Sequence, residues 1–124
     1  MSPIRIHLVL GLVWLLAGML LGEHMGRTGD HGQMPTHAHI MLLGGVLPIL
    51  WAVIYKVFDL AKGVLAWIQT VAHHIATAVM VAALYLLYGR MAAEAVLGPL
   101  LGISGIVIIL ATALMLFMGA RAKV

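Results

Sequence analysis

The chain has 124 residues, 64% of them apolar and 9% charged, with a formal net charge of +3 and no cysteine. Its mean hydropathy is +1.13. A soluble domain runs nearer 45–50% apolar and roughly 25% charged, and one this small leaves a large share of its surface in water. The composition therefore excludes an ordinary soluble fold, and the missing cysteines exclude disulfides, thiolate metal sites and c-type haem attachment. The expected solvent is a lipid bilayer. The expected fold is all-α, an integral membrane four-helix bundle forming one domain over residues 1–124.

Four apolar stretches each approach the ~20 residues that cross a hydrocarbon core. In chain order they cover about 4–21, 37–55, 64–88 and 95–119. The first has Arg5 ahead of an apolar run, as a signal peptide does, but the run is long and no small-residue cleavage site precedes Glu23. It reads as a retained span.

The first connection, Gly22–Thr36, is the one sizeable polar segment, with His24, His31, Glu23, Asp30 and several glycines. Gly29-Asp30 and Gly32 mark turns. Pro35-Thr36 suits the start of the second helix, with Thr36 as its N-cap. The second connection is Lys56–Gly63, and the third runs over Gly89–Glu94.

Basic residues assign orientation. Arg5, Lys56, Lys62, Arg121 and Lys123 fall on one side, Arg27 and Arg90 on the other. That bias places both termini in the cytoplasm, as in a multi-pass protein of the bacterial inner (cytoplasmic) membrane, with the histidine-rich loop outside. The seven cations stand singly and make no nucleic-acid patch. Small residues offer close helix packing at Gly22-x-x-x-Gly26, Gly44-Gly45, and Gly98-x-x-x-Gly102 with Gly105. The last set is the expected seam for tight packing within or between chains, and a homo-oligomer follows from it.

Seven histidines in so apolar a chain call for partners, because ionisable groups at membrane depth are costly and face the protein interior. Neutral imidazole is a ready ligand for haem iron and transition metals. His37 and His39 point about 200° apart on a helix, and His73 and His74 about 100° apart. His37 and His39 therefore serve two sites flanking the helix, or one binds a cofactor while the other meets solvent. Thr70 and Thr77, a turn either side of the His73-His74 pair, have hydroxyls placed to orient an imidazole. His7 reads as interfacial. His24, His31 and Asp30, with His37, form a candidate copper or zinc site in the loop. No set of residues points to nucleophilic catalysis, and no catalytic residue is assigned.

The segment Asp30-His31-Gly32-Gln33-Met34-Pro35-Thr36-His37-Ala38-His39-Ile40-Met41-Leu42-Leu43-Gly44 resembles the His-x-His helix of haem-copper oxidase subunit I. Val71-Ala72-His73-His74-Ile75 resembles a short His-His motif that supplies copper ligands there. More closely, the whole chain is similar to small bacterial four-helix proteins labelled cytochrome c oxidase subunit I-like. That resemblance implies b-type haem bound through His37, His39, His73 and His74. It implies electron transfer, with a quinone or cytochrome as redox partner, or the binding of a diatomic gas such as NO or O2. A metal-binding protein and a non-catalytic accessory subunit of a respiratory complex are the other readings.

Depth arithmetic constrains the pairing. At 1.5 Å per residue, His39 lies roughly 3 Å inside the outer end of its span and His73 about 22 Å inside its own. A gap of about 10–20 Å argues against one haem between them. The expected haem position is near the outer side, on His37 or His39.

Overall fold

The computed structural model describes every residue, Met1–Val124. It is all-helical: α1 (Pro3–Thr28), α2 (Met34–Val57), α3 (Val64–Tyr88) and α4 (Glu94–Ala120). All four are long and apolar enough to cross a membrane. One end of the bundle carries both termini and the α2–α3 turn, here the terminal end. The other carries the His31 and Met91 turns, here the loop end.

The helix limits follow local rules. Ser2 caps α1, its hydroxyl accepting from the Arg5 amide at 3.3 Å, and Pro3 fills the first turn where no amide is needed. The helix runs on to Gly29, whose φ of 71° suits a residue without Cβ. The expected span stops at 21, seven residues short. The extra turns are bound by the Glu23–Arg27 pair at spacing i,i+4 and by the Thr28 hydroxyl donating to the His24 carbonyl. His24 is therefore helical, and the connection between α1 and α2 shrinks to 29–33.

Helix α2 also starts early, at Met34 rather than 37. Gln33 takes the capping position and Pro35 the first turn, which proline favours. Thr36 is no N-cap. It is buried inside that turn, its hydroxyl donating to Gln33 Oε1 at 2.6 Å.

Within α2, Ile40–Val46 is wound as a π-helix. The Leu47 amide bonds the Leu42 carbonyl, five residues back. The next residue is Pro48, which has no N–H. The Leu43 carbonyl thereby loses both amides that would ordinarily bond it within the helix. In a bilayer such a group must be satisfied by a neighbouring helix, and it is.

Glycine brings α1 against α2. Gly11, Gly18 and Gly22 lie on one stripe of α1, facing the π segment and its flanks. A Cβ at Gly11 would stand 3.1 Å from the Gly45 carbonyl oxygen, and one at Gly22 would stand 2.9 Å from the His37 ring. Gly44 and Gly45 receive Trp14 and Leu15 in return. The seam expected at Gly98 and Gly102 is not an intramolecular one. Nothing lies within 4 Å of either position, while Gly105 reaches only the end of Met80 at 3.6 Å. Gly98 and Gly102 thus meet no other helix of the chain. The apolar core at the terminal end joins α2, α3 and α4 through Trp51, Tyr55, Ala66, Met115 and Met118.

Candidate functional site

The seven histidines separate into two groups, one at the loop end and one deeper in the bundle toward the terminal end. Toward the loop end, His31, His37 and His39 share one pattern. Each places Nδ1 on a backbone carbonyl: His31 on Gly29 at 3.1 Å, His37 on Gly18 at 2.9 Å and His39 on Pro35 at 2.7 Å. A carbonyl only accepts, so each Nδ1 carries the proton and each Nε2 keeps its lone pair. Metal-ligating histidines are oriented by this kind of bond.

Their surroundings differ. His37 lies flat on α1, with Gly22 beneath its ring. His39 is half-buried and turns its ring back over the first turn of α2. His24 and His31 are exposed. His24 and Asp30 line a cavity of about 460 Å3 with Arg90, Tyr85 and Tyr88, and neither His31 nor His37 joins them there. No three His, Asp or Glu side chains anywhere in the chain come together as a metal-holding group.

The second group is a buried network toward the terminal end, built from three helices. α1 contributes His7, α2 Tyr55, and α3 Gln69, Thr70, His73 and His74. On α3 the residues Ala66, Gln69, Thr70, His73 and Thr77 follow helical spacing and are all buried, so the inward stripe of this apolar helix is largely polar. His7, which reads from sequence as interfacial, is fully buried and stands at the centre. Its ring centroid lies 4.8 Å from that of His74, 6.0 Å from His73 and 5.4 Å from Tyr55.

The hydrogen bonds fix the protons. Thr70 Oγ1 donates to the Ala66 carbonyl at 2.7 Å, and the Tyr55 hydroxyl donates to Gln69 Oε1, also at 2.7 Å. Both side-chain oxygens then accept from His7 Nε2, at 3.0 Å from Gln69 and 3.1 Å from Thr70. His7 Nδ1 is left as an acceptor and receives the Nε2 proton of His74 at 3.0 Å. His73 Nε2 donates to the freed Leu43 carbonyl at 2.9 Å. All three imidazoles thus carry their proton on Nε2. The Nδ1 atoms of His73 and His74 are buried and meet no hydrogen-bond partner, as are Gln69 Nε2 and Thr77 Oγ1.

These positions revise the depth argument. His73 meets Leu43, one helical turn from His39, so the two backbones differ by about 6 Å of helix rise. The larger expected gap came from starting α2 at 37 and from levelling the helix ends. In fact Gln33 bonds the Tyr85 carbonyl, and α3 overhangs α2. The two rings still diverge, since side chains lean toward their helix N-termini and α2 and α3 are antiparallel. Thr70 serves His7 rather than His73. The network as a whole is the feature least visible in sequence. Its one usable sign is the Gln69-Thr70-His73-Thr77 spacing on α3.

No protein-family model matches the chain, and neither a curated protein nor a solved structure matches it.

Proposed function

We propose that the chain is a membrane-embedded b-type haem-binding protein in which His39 supplies an axial nitrogen. The observation that carries this reading is the His39 Nδ1 bond to the Pro35 carbonyl at 2.7 Å, which fixes the tautomer and leaves Nε2 as a ligand on a half-buried ring. His37 has the same tautomer, but its ring is seated against Gly22 of α1. His73 gives its Nε2 proton to Leu43 and keeps its free lone pair, on Nδ1, on a ring with no exposed surface. The donor set thus favours one axial ligand from each chain. The resemblance of the Pro35–Gly44 segment to the His-x-His helix of haem-copper oxidases points the same way.

Haem, when bound, supplies reversible one-electron chemistry and an iron that takes diatomic gases. The protein's part is to orient His39. On this reading the helices cross the bacterial inner membrane with both termini cytoplasmic, by the bias in Lys and Arg. A second copy of the chain would add walls around the porphyrin.

The test is the optical spectrum of the full chain purified after expression with ample haem. A Soret band that is lost in His39→Ala supports the reading. Wild-type protein without a Soret band overturns it.

A further inference from the structure

The network at the terminal end stands apart from His39 and has chemistry of its own. We propose that His7 and His74 form a buried proton-binding site, in which the proton enters at His74 Nδ1 and is held on His7.

The argument begins with the neutral state. The Nε2 protons of His74 and His7 point the same way, from His74 to His7 and from His7 to Gln69 Oε1 and Thr70 Oγ1, and this run starts from the bare lone pair of His74 Nδ1. That atom is buried, but His74 is only half-buried as a residue, whereas His7 and His73 are fully enclosed. Within the His7–His74 pair, Nδ1 of His74 is the one nitrogen with an uncommitted lone pair, so an added proton bonds there.

The step balances. A proton bonds to His74 Nδ1, the His74 Nε2–H bond breaks, and that proton forms a new bond to His7 Nδ1. His74 ends neutral with its proton on Nδ1, and His7 becomes the imidazolium. No hydrogen bond is lost: the 3.0 Å contact between the two rings reverses its direction.

His7 is the better place for the charge. Its two N–H groups then meet three acceptors, Gln69 Oε1, Thr70 Oγ1 and His74 Nε2, all within 3.1 Å. A buried cation is tolerated when its donors are all bonded, and hydrogen bonds to the charged form favour that form. His73 has no such arrangement, since its Nε2 proton is already given to Leu43 and its Nδ1 faces no donor.

The other groups facing the site are few. α1 presents His7, α2 presents Tyr55, α3 presents His73 and His74, and α4 presents no titratable side chain. No carboxylate takes part, so the oxygens of Gln69 and Thr70 carry the solvation of the charge.

Solid-state NMR of the full chain, labelled with 15N-histidine in lipid bilayers, tests this. At neutral pH, His7, His73 and His74 are expected to show a bare Nδ1 and a protonated Nε2. On acidification His7 is expected to gain an Nδ1 proton in the same step that moves the His74 proton from Nε2 to Nδ1. One proton is then taken up by the pair instead of two. In His74→Gln the His7 step is expected to be lost.

Three results overturn the proposal: His7 carrying its neutral proton on Nδ1, His7 and His74 titrating independently, or neither ring protonating before the fold is lost. An unchanged His7 step in His74→Gln does so as well. The wild-type spectra decide alone if that variant does not fold.

Discussion

His73 Nε2 donates to the Leu43 carbonyl at 2.9 Å, and Pro48, five residues beyond Leu43, is the reason that carbonyl is free. A proline inside a membrane helix removes one amide. The π segment before it shifts the Leu47 amide to Leu42, and the unclaimed carbonyl is turned to a side chain on α3. A backbone irregularity in one helix thus sets the tautomer of a histidine in another. π-Helical turns often mark functional positions, and this one lies between His39 and the buried network.

Pro48→Ala tests that linkage. The new amide competes for the Leu43 carbonyl and offers α2 regular winding. The expected result is loss of the His73 Nε2 hydrogen bond, read from its 15N shift. The net stability change is within about 1 kcal/mol, since one hydrogen bond replaces another. An unchanged His73 signal would show that the π winding is held by the α1–α2 seam instead.

The seam makes its own prediction. Gly11→Ala drives a Cβ to 3.1 Å from the Gly45 carbonyl and 2.8 Å from the Ile49 side chain. Backbone on the far side of the contact cannot swing away as a side chain does. Overpacking of this kind costs about 1–3 kcal/mol. Gly102→Ala adds its methyl to open space and is expected to change stability by no more than about 0.5 kcal/mol. Thermal unfolding in mild detergent separates the two.

Which of these features sequence could carry depends on their range. The spans were legible because lipid exposure demands long apolar runs, and 64–88 coincides with α3 as built. The ends of α1 and α2 were less so. Their continuation past the apolar run rests on Gly29, Gln33 and Pro35 acting locally inside a polar stretch. The opposed settings of His37 and His39 follow from helical geometry alone. The place of His7 does not. Its nearest polar neighbours in the chain, Arg5 and Ser2, place it near a helix end and say nothing of a network whose partners lie 62 to 67 residues away. The glycine seam was legible in part: Gly22 and Gly44-Gly45 stand in the α1–α2 contact as expected, Gly11 lies seven residues from Gly18, a spacing that a search for x-x-x motifs passes over, and Gly98-x-x-x-Gly102 has the motif but no partner helix within the chain.

Within the network, Tyr55 and Gln69 are expected to differ in weight. Tyr55→Phe removes the hydroxyl and leaves Gln69 Oε1 still bonded by His7, so the expected loss is about 1 kcal/mol. Gln69→Leu strips the acceptor from both Tyr55 and His7 in a buried site. The cost of an unsatisfied group is about 1–3 kcal/mol, offset in part because Thr70 still accepts from His7 and the Ala66 carbonyl lies 3.3 Å from the Tyr55 hydroxyl. Unfolding measurements in detergent should rank Gln69→Leu well below Tyr55→Phe. Equal losses would mean that the Tyr55 ring packing, not its hydroxyl, is what matters.

The two histidines of the Pro35–Gly44 segment are expected to separate by readout. His37 lies in the α1–α2 contact, where its ring covers Gly22 and its Nδ1 satisfies the Gly18 carbonyl. His37→Ala opens that contact and removes one hydrogen bond between the helices, at a cost of about 0.5–1.5 kcal/mol for the bond besides the lost packing on Gly22, while His39 keeps its orientation from Pro35. His39→Ala gives up only a local bond on a half-buried ring, so its unfolding temperature should stay near the wild-type value. Under the haem reading the spectra run the other way: the Soret band persists in His37→Ala and disappears in His39→Ala. The reverse pattern, a stable His37→Ala without haem, would move the axial ligand to His37 and the porphyrin to the α1 side of the helix.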